Sequence, residues 1–432
     1  MNHHGLFRLR LQSIERLATR NVSNPLPATF LRGGTSKGIF INRADLPEDR
    51  RAWDRIFLGI MGSPDIAYGR QLNGMGGGIS SLSKICVVET ADAKTRAEGC
   101  DVSYTFVQVG VRDDSVDYSG NCGNLSSMIG VFALDESLCT PYLVNNKAGT
   151  ATVRAYNTNT GKRVDTTFPV AIRDGTPVPM LHLRQTTMAG VPGEASRIVL
   201  EFVSPAGART GKLLPTNSPK DTIEVRFNDH DVKIPATLID VTNPTVFLAG
   251  KDLHPLADTL FPNTLFSYEN DSILELLETI RQRGAEMMGL SPHPKSQPKI
   301  AVISPRPTSP FISPRPPATQ EPENVIDIKA LSMGVLHKAV PLTMAVCLGA
   351  ASKIPGTLAW EIIQQAQPPI LDSQSRLKHP RKPREDLDSS LVTVMHPSGE
   401  VEVGAEFGED GSVKSGKVVR TGRRLMKGVV WW

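Results

Sequence analysis

Four short clusters in this chain combine residue types that are costly to keep unless they act on something. The first is Arg32-Gly33-Gly34-Thr35-Ser36-Lys37-Gly38. Such a turn exposes backbone N–H groups beside a hydroxyl and two cations, a set suited to a carboxylate; a plain hairpin is the simpler alternative. The G-x-x-x-x-G-K-[ST] order of a phosphate-binding P-loop is absent. The second runs from Gly74 to Lys84. Gly76, Gly77 and Gly78 allow close approach to the backbone, Ser83 follows, and Lys84 opens an apolar strand as a candidate base. Elsewhere such a lysine is a snorkelling edge residue. The third is Asn121-Cys122-Gly123-Asn124-Leu125-Ser126, at a predicted helix start. A cysteine there feels the positive end of the helix and leans toward thiolate, and the free N–H groups suit a carboxylate; otherwise it is a small buried thiol. The fourth is Ser332-Met333-Gly334-Val335-Leu336-His337, read as the start of a second apolar helix with a histidine in its first turn. Two such helix starts facing one another would hold a polyanion. Lys212, in the Thr210-Gly211-Lys212 turn, is a further candidate contact. The basic stretch 420–426 has a helical look and is otherwise surface.

The elements that must position these residues follow from periodicity. Strands are predicted at 84–88, 102–109, 150–156, 165–171 and 198–203, and again at 232–240, 245–248, 300–303, 391–395, 400–407 and 412–420. Helices are predicted over 47–61, 121–135, 272–288 and 334–351. Each half thus carries several strands and one strongly apolar helix, which predicts two related α/β domains over 26–205 and 206–432, the last strands returning to the first. Residues 305–323 are proline-rich and 378–386 dense in Lys, Arg and Pro, and both read as surface loops. The arginine-rich segment 1–25 reads as a basic tail or a mitochondrial transit peptide, so matrix and cytoplasm are both expected locations.

Bulk properties exclude several classes. The net charge of +4, with no basic stripe interleaved with aromatics, argues against nucleic acid. No apolar run approaches the roughly 20 residues that span a bilayer. Five cysteines without a CxxC suggest neither a disulfide framework nor a zinc site.

Taken together, the segments FLRGGTSKGIFI (30–41), NGMGGGISSLSK (73–84), NCGNLSSMIGVFAL (121–134), TGKLLPT (210–216), LSMGVLHKAVPLT (331–343) and RTGRRLMKGVV (420–430) resemble the PrpF family of 2-methylaconitate cis–trans isomerases, aconitate Δ-isomerases and 4-oxalomesaconate tautomerases. The resemblance implies the diaminopimelate-epimerase-like fold, an α/β architecture of two pseudo-symmetric domains, each wrapping sheet around a central helix. It implies catalysis by Lys84 and Cys122, and substrate binding by Ser36, Lys37, Gly76 to Gly78 and the Ser332–His337 stretch. The two-cysteine epimerases of this fold need a second cysteine opening the other helix. Here that stretch reads Ser332-Met333-Gly334, which argues against two-thiol inversion of an amino acid.

The expected reaction is a 1,3-proton shift on a small tricarboxylate, needing neither metal nor organic cofactor. A free lysine titrates near 10.4, so a base role for Lys84 asks for desolvation and nearby positive charge, expected from Arg32, Lys37 and the helix starts. Expected partners beyond the substrate are a second copy of the chain and a functional link to an aconitase-like dehydratase. The rival readings are a tautomerase or epimerase of the same fold acting on an oxo-dicarboxylate or amino acid, and a non-catalytic accessory of that dehydratase.

Overall fold

The computed structural model describes residues 23–118, 120–144, 149–262, 264–293, 297–306, 325–332, 334–337, 340–366 and 391–432. Most of the N-terminal tail, nearly all of the proline-rich 305–323 stretch, the basic 378–386 loop and Met333 lie outside the described residues. The chain forms two compact units. One holds the chain up to Thr186 with Glu194–Leu200 and Arg420–Trp432; the other holds Thr187–Gly193 and Glu201–Val419.

In the first unit, β1 (Leu26–Gly33) and β2 (Ser36–Asn42) form an antiparallel hairpin in which Gly33 faces Ser36. β2 runs parallel to β3 (Lys84–Thr90), which is antiparallel to β4 (Val102–Val109). β4 is parallel to β5 (Thr150–Asn157), and β5 is antiparallel to β6 (Lys162–Arg173). The C-terminal strand Gly422–Val430 pairs antiparallel with β1. Side chains alternate between the two faces of this sheet, as the pleat requires. Ile39, Ile41, Ile85, Val87 and Val107 pack with Ile56, Phe57 and Ile60 of α1 (Trp53–Met61). Phe40, Cys86, Val88, Tyr104 and Phe106 face the other way, toward Leu125 of α2 (Gly123–Ser126) and Ile129 and Phe132 of α3 (Ile129–Asp135). Each of these fully buried apolar side chains contributes about 1.5–3 kcal/mol relative to exposure.

The helix predicted over 121–135 is therefore two pieces. Ser127 Oγ donates to the carbonyl of Asn124 at 2.7 Å, and Met128 N–H bonds to Leu125 O, three residues back. A serine that satisfies an i−3 carbonyl competes with the α-helical ladder and interrupts it here.

In the second unit, β7 (Asp221–Phe227), β8 (His230–Val241) and β9 (Asn243–Ala249) form an antiparallel meander. β10 (Lys299–Pro305) joins β9 in parallel, and β11 (Val325–Ser332) joins β10 antiparallel. The short β12 (Val335–His337) folds back on β11. β13 (Leu391–His396) runs parallel to β11, and β14 (Gly399–Phe407) and β15 (Val413–Arg420) follow antiparallel. Helices α4 (Gly250–Leu260) and α5 (Asp271–Met287) cover one face through Leu253, Ile273, Leu276 and Ile280. The other face encloses α6 (Leu342–Ala351), buried from Met344 to Ala351 and packed on β8, β9 and β14; α7 (Leu358–Ala366) follows it.

Two expectations are corrected. The second apolar helix begins at Leu342 rather than at Gly334. Pro341 sits at its N-cap; a proline displaces the residue before it from α geometry, so no helix runs through Val340. Ser332, Gly334 and His337 instead belong to the β11–β12 hairpin, with Ser332 opposite Val335, His337 opposite Ala330, and Gly334 at φ +79° in the turn. Residues 422–430 form a strand where a helical look was read at 420–426.

Candidate active site

Two glycines bring the β1–β2 turn onto α2. A Cβ at Gly33 would stand 2.3 Å from the Asn124 carbonyl oxygen, and one at Gly34 2.3 Å from Asn124 Oδ1. Gly34 also sits at φ +54°, where other residues are strained. This approach aligns a polar line. Cys122 Sγ donates to Ser36 Oγ at 3.8 Å, and Asn124 Nδ2 donates to Thr35 Oγ1 at 3.1 Å and Ser36 Oγ at 3.5 Å. Behind Cys122, Ser126 Oγ donates to Asn121 Oδ1 and meets the buried Tyr104 hydroxyl at 3.0 Å, fixing the residues around Gly123. Arg32 is spent on the turn itself. Its Nη1 donates to Gly34 O, Thr421 O and Thr421 Oγ1 at 2.9–3.2 Å, while burial, with Arg423 nearby, lowers its pKa. Lys37 lies 5.8 Å over the Phe30 ring.

Lys84 is only 9% exposed and opens β3, with Gln108 as its cross-strand partner. Its Nζ donates to Gln108 Oε1 and lies 5.0 Å from the centre of the Phe106 ring. Gln108 is itself held, its Nε2 donating to Ser83 O at 2.9 Å. Gly38 lets β2 close on this strand, since a Cβ there would lie 2.9 Å from the Lys84 carbonyl. Strand alternation puts Lys84 on the face of Cys86 and Phe106, the face that receives α2. Cys86 lies between the two candidates: burial pushes its thiol well up, Lys84 shares its strand face, and Cys122 packs against the same buried cluster. The first unit thus brings Lys84, Cys122, Ser36 and Asn124 to one side of one sheet.

The triple-glycine segment has a different use from the open cradle expected of it. Cβ atoms at Gly76, Gly77 and Gly78 would meet the Gln71 amide, Leu82 and the Gly69 carbonyl at 2.3–2.6 Å. The segment wraps the fully buried Gln71, whose Nε2 donates to Ser63 Oγ and Ser83 Oγ and whose Oε1 accepts from Gly78 N–H. Ser83 is buried too and donates to Val109 O, so its hydroxyl is engaged on both sides. In the second unit, Lys212 lies on an exposed loop with its Nζ 3.3 Å from Asn217 Oδ1, and His337 is half-buried on β12.

Sequence reasoning missed Gln71 and Gln108, and it named Arg420 only within a basic stretch read as joining the site or as surface. Arg420 is 6% exposed, and its Nε donates to Asn124 Oδ1 at 3.2 Å. Burial lowers its pKa to about 10, and Cys122 is the ionisable group beside it. Alternation gave no signal for it, since Val418, Val419 and Arg420 are all buried.

The family described as PrpF protein matches residues 24–432 of this chain. The chain belongs to the PrpF family. A 3-methylitaconate isomerase of Eubacterium barkeri is 31% identical over 421 residues, covering 94% of this chain and 97% of its own. A 2-methyl-aconitate isomerase of Shewanella oneidensis is 32% identical over 423 residues (93% and 96%). A 4-oxalomesaconate tautomerase of Pseudomonas putida is 31% identical over 411 residues (94% and 95%). The crystal structure of a methylitaconate-delta-isomerase superposes with a TM-score of 0.72 at 30% identity, covering 95% of this chain and 96% of that one. The fold is a mixed α/β fold shared with that methylitaconate-delta-isomerase, and this PrpF-family chain is an isomerase.

The donor set of this PrpF-family isomerase suits proton transfer. Among the described residues no group of three or more His, Cys, Asp or Glu is placed to hold a metal ion, and no helix is long and apolar enough to cross a membrane. One amine, one thiol and a hydroxyl lie in a largely water-excluded corner of the first unit, beside a buried guanidinium. Such a set can take a proton from carbon and stabilise the anion left behind.

Proposed function

We propose that this isomerase moves a proton, and with it a double bond, on an aconitate-type tricarboxylate such as 2-methylaconitate or cis-aconitate. The observation that carries the reading is that Lys84 and Cys122 meet the same buried cluster on the α2 face of the first sheet, Lys84 over the Phe106 ring and Cys122 packed beside Cys86 and Phe106. In the proposed reaction the Lys84 amine takes a proton from the saturated carbon next to the double bond. The C–H electron pair spreads through the allylic system onto a carboxylate, giving a dienolate. A proton then returns, from the Lys84 ammonium or the Cys122 thiol, to the far end of the allyl unit and leaves the double bond moved. Return to the original carbon after rotation gives the cis–trans isomer. Both outcomes conserve atoms and electrons.

Charge grows on an already anionic substrate, so donors aimed at it matter. Each is worth about 3 kcal/mol in a water-poor site. Ser36, Lys37 and the Gly123 amide take this role in our reading. Two-thiol inversion of an amino acid is disfavoured by Cys347, the cysteine of the second apolar helix. It is fully buried, its thiol donates to Val241 O and Asn243 O, and burial pushes it up to about 12. The relatives act on 3-methylitaconate, 2-methylaconitate and 4-oxalomesaconate according to their names, which sets the panel to test.

Proton NMR of the full chain in D₂O with cis-aconitate, 2-methylaconitate, 3-methylitaconate and 4-oxalomesaconate reads turnover, product geometry and the labelled carbon together. The reading expects deuterium at the migrating position of one of the aconitates. Turnover of oxalomesaconate alone would replace it with a tautomerase, and no exchange with any of the four would remove the enzymatic substrate class.

A further inference from the structure

From the line of contacts Arg420–Asn124–Ser36–Cys122, we infer that Arg420 is a positioning residue that holds Cys122 ready to act, working through the Asn124 amide and the Ser36 hydroxyl. The inference deepens the proposed function and rests on its use of Cys122.

An asparagine amide has two distinct ends. Arg420 Nε donates to Asn124 Oδ1, and this fixes Nδ2 toward Thr35 and Ser36. Ser36 Oγ then receives an N–H from Asn124, so its own hydroxyl proton is free to turn toward sulfur once Cys122 has lost its proton. The chain of donors ends on the thiol and begins on a buried cation.

The expectation that a helix start supplies this positive character meets a difficulty. α2 has only four residues, Gly123–Ser126, and ends at the Ser127 break, so few peptide dipoles add up behind Cys122. The guanidinium supplies the missing charge from another part of the unit. The titratable groups around this corner include Lys84 and Cys86 on β3, Tyr104 on β4, Arg420 at the end of β15 and Arg32 on β1; of the cations, Arg32 is bonded to Gly34 and Thr421 and Arg420 is the one bonded to Asn124. The two glycines explain how Asn124 comes to be the intermediary. Gly33 and Gly34 have no Cβ because the Asn124 backbone and side chain fill those spaces, so the amide is gripped between the turn and Arg420.

The test is the rate of Cys122 alkylation by iodoacetamide at one fixed pH, in a Cys139→Ser background that removes the other half-buried thiol; Cys86, Cys100 and Cys347 are buried. Arg420→Gln is expected to slow alkylation about tenfold, and Arg420→Lys to restore it to within a few-fold. Asn124→Asp keeps a partner for Arg420 and the same shape, yet it neutralises the guanidinium and cannot donate to Ser36. It is expected to slow alkylation about as much as Arg420→Gln, with kcat falling and KM nearly unchanged. It also decides the matter if Arg420→Gln does not fold. Parent-rate alkylation in folded Asn124→Asp would overturn the inference. Parent-rate turnover in Cys122→Ser would instead remove the catalytic role of Cys122 and leave the alkylation result to stand on its own.

Discussion

The two units each enclose a helix that carries a cysteine, and they treat it in opposite ways. In the first unit Cys122 caps a one-turn helix, is half-buried, and meets Ser36, with Arg420 linked to that pair through Asn124. In the second, Cys347 lies in the sixth position of the ten-residue α6, fully buried, with its thiol donating to the two carbonyls of Val241 and Asn243. Each unit also opens one strand with a lysine near its cysteine. Lys84 donates to Gln108, and Lys299 is half-buried on β10 with its pKa lowered by burial and the Cys347 thiol nearby. In our reading one design thus gives chemistry where the helix stops short and packing where it runs on. A short helix leaves its first residue beside a turn that can bring hydroxyls and cations; a long apolar helix seals its cysteine among carbonyls.

The largest test of this contrast compares the lysines. Lys84→Ala should lower kcat by about 10³-fold or more with little change in melting temperature, while Lys299→Ala leaves kcat within a few-fold. Steady-state turnover with the active tricarboxylate, beside a thermal melt, reads both. Next come the glycines. Gly34→Ala forces a Cβ into Asn124 at a left-handed backbone position, so activity should fall about 100-fold and stability by about 1–3 kcal/mol in urea unfolding. The cysteines follow. Cys122→Ser should cost activity about tenfold and leave stability within about 0.5 kcal/mol, whereas Cys347→Ala should keep turnover and lose about 1–2 kcal/mol. The smallest effect is in pH. The Cys347 thiol is pushed up to about 12, while an unfolded cysteine titrates near 8.5, so above that pH the unfolded chain releases a proton that the native state keeps. Stability therefore falls as pH rises past 8.5. Urea midpoints at pH 7.5 and 9.5 should reveal a loss of about 1 kcal/mol that Cys347→Ala does not share.

Much of the first unit was legible because its signals are local. Gly33-Gly34 between β-prone runs announces a tight hairpin, and alternation along 84–88 places Lys84 and Cys86 on one face. What stayed hidden depends on contacts far apart in sequence. Arg420 and Asn124 are 296 residues apart, and no periodicity links them. Gln71, Leu82 and the Gly69 carbonyl fill the spaces at Gly76, Gly77 and Gly78, yet from sequence those spaces read as open. The Ser332–His337 stretch was misread because its small residues and the apolar run after it continue the helical pattern, while Pro341 fixes the true start. The break at Ser127 escaped because a serine inside an apolar helix reveals its carbonyl bond only in three dimensions.

The central claim is that proton transfer runs through the amine of residue 84 beside the thiol of residue 122. Deuterium incorporation from D₂O into the tricarboxylate that the parent turns over, followed by NMR with the parent, Lys84→Ala and Cys122→Ser side by side, tests it most directly. The account predicts wash-in with the parent, slowed wash-in with Cys122→Ser and none with Lys84→Ala over the same hours. Wash-in by folded Lys84→Ala at the parent rate would contradict it.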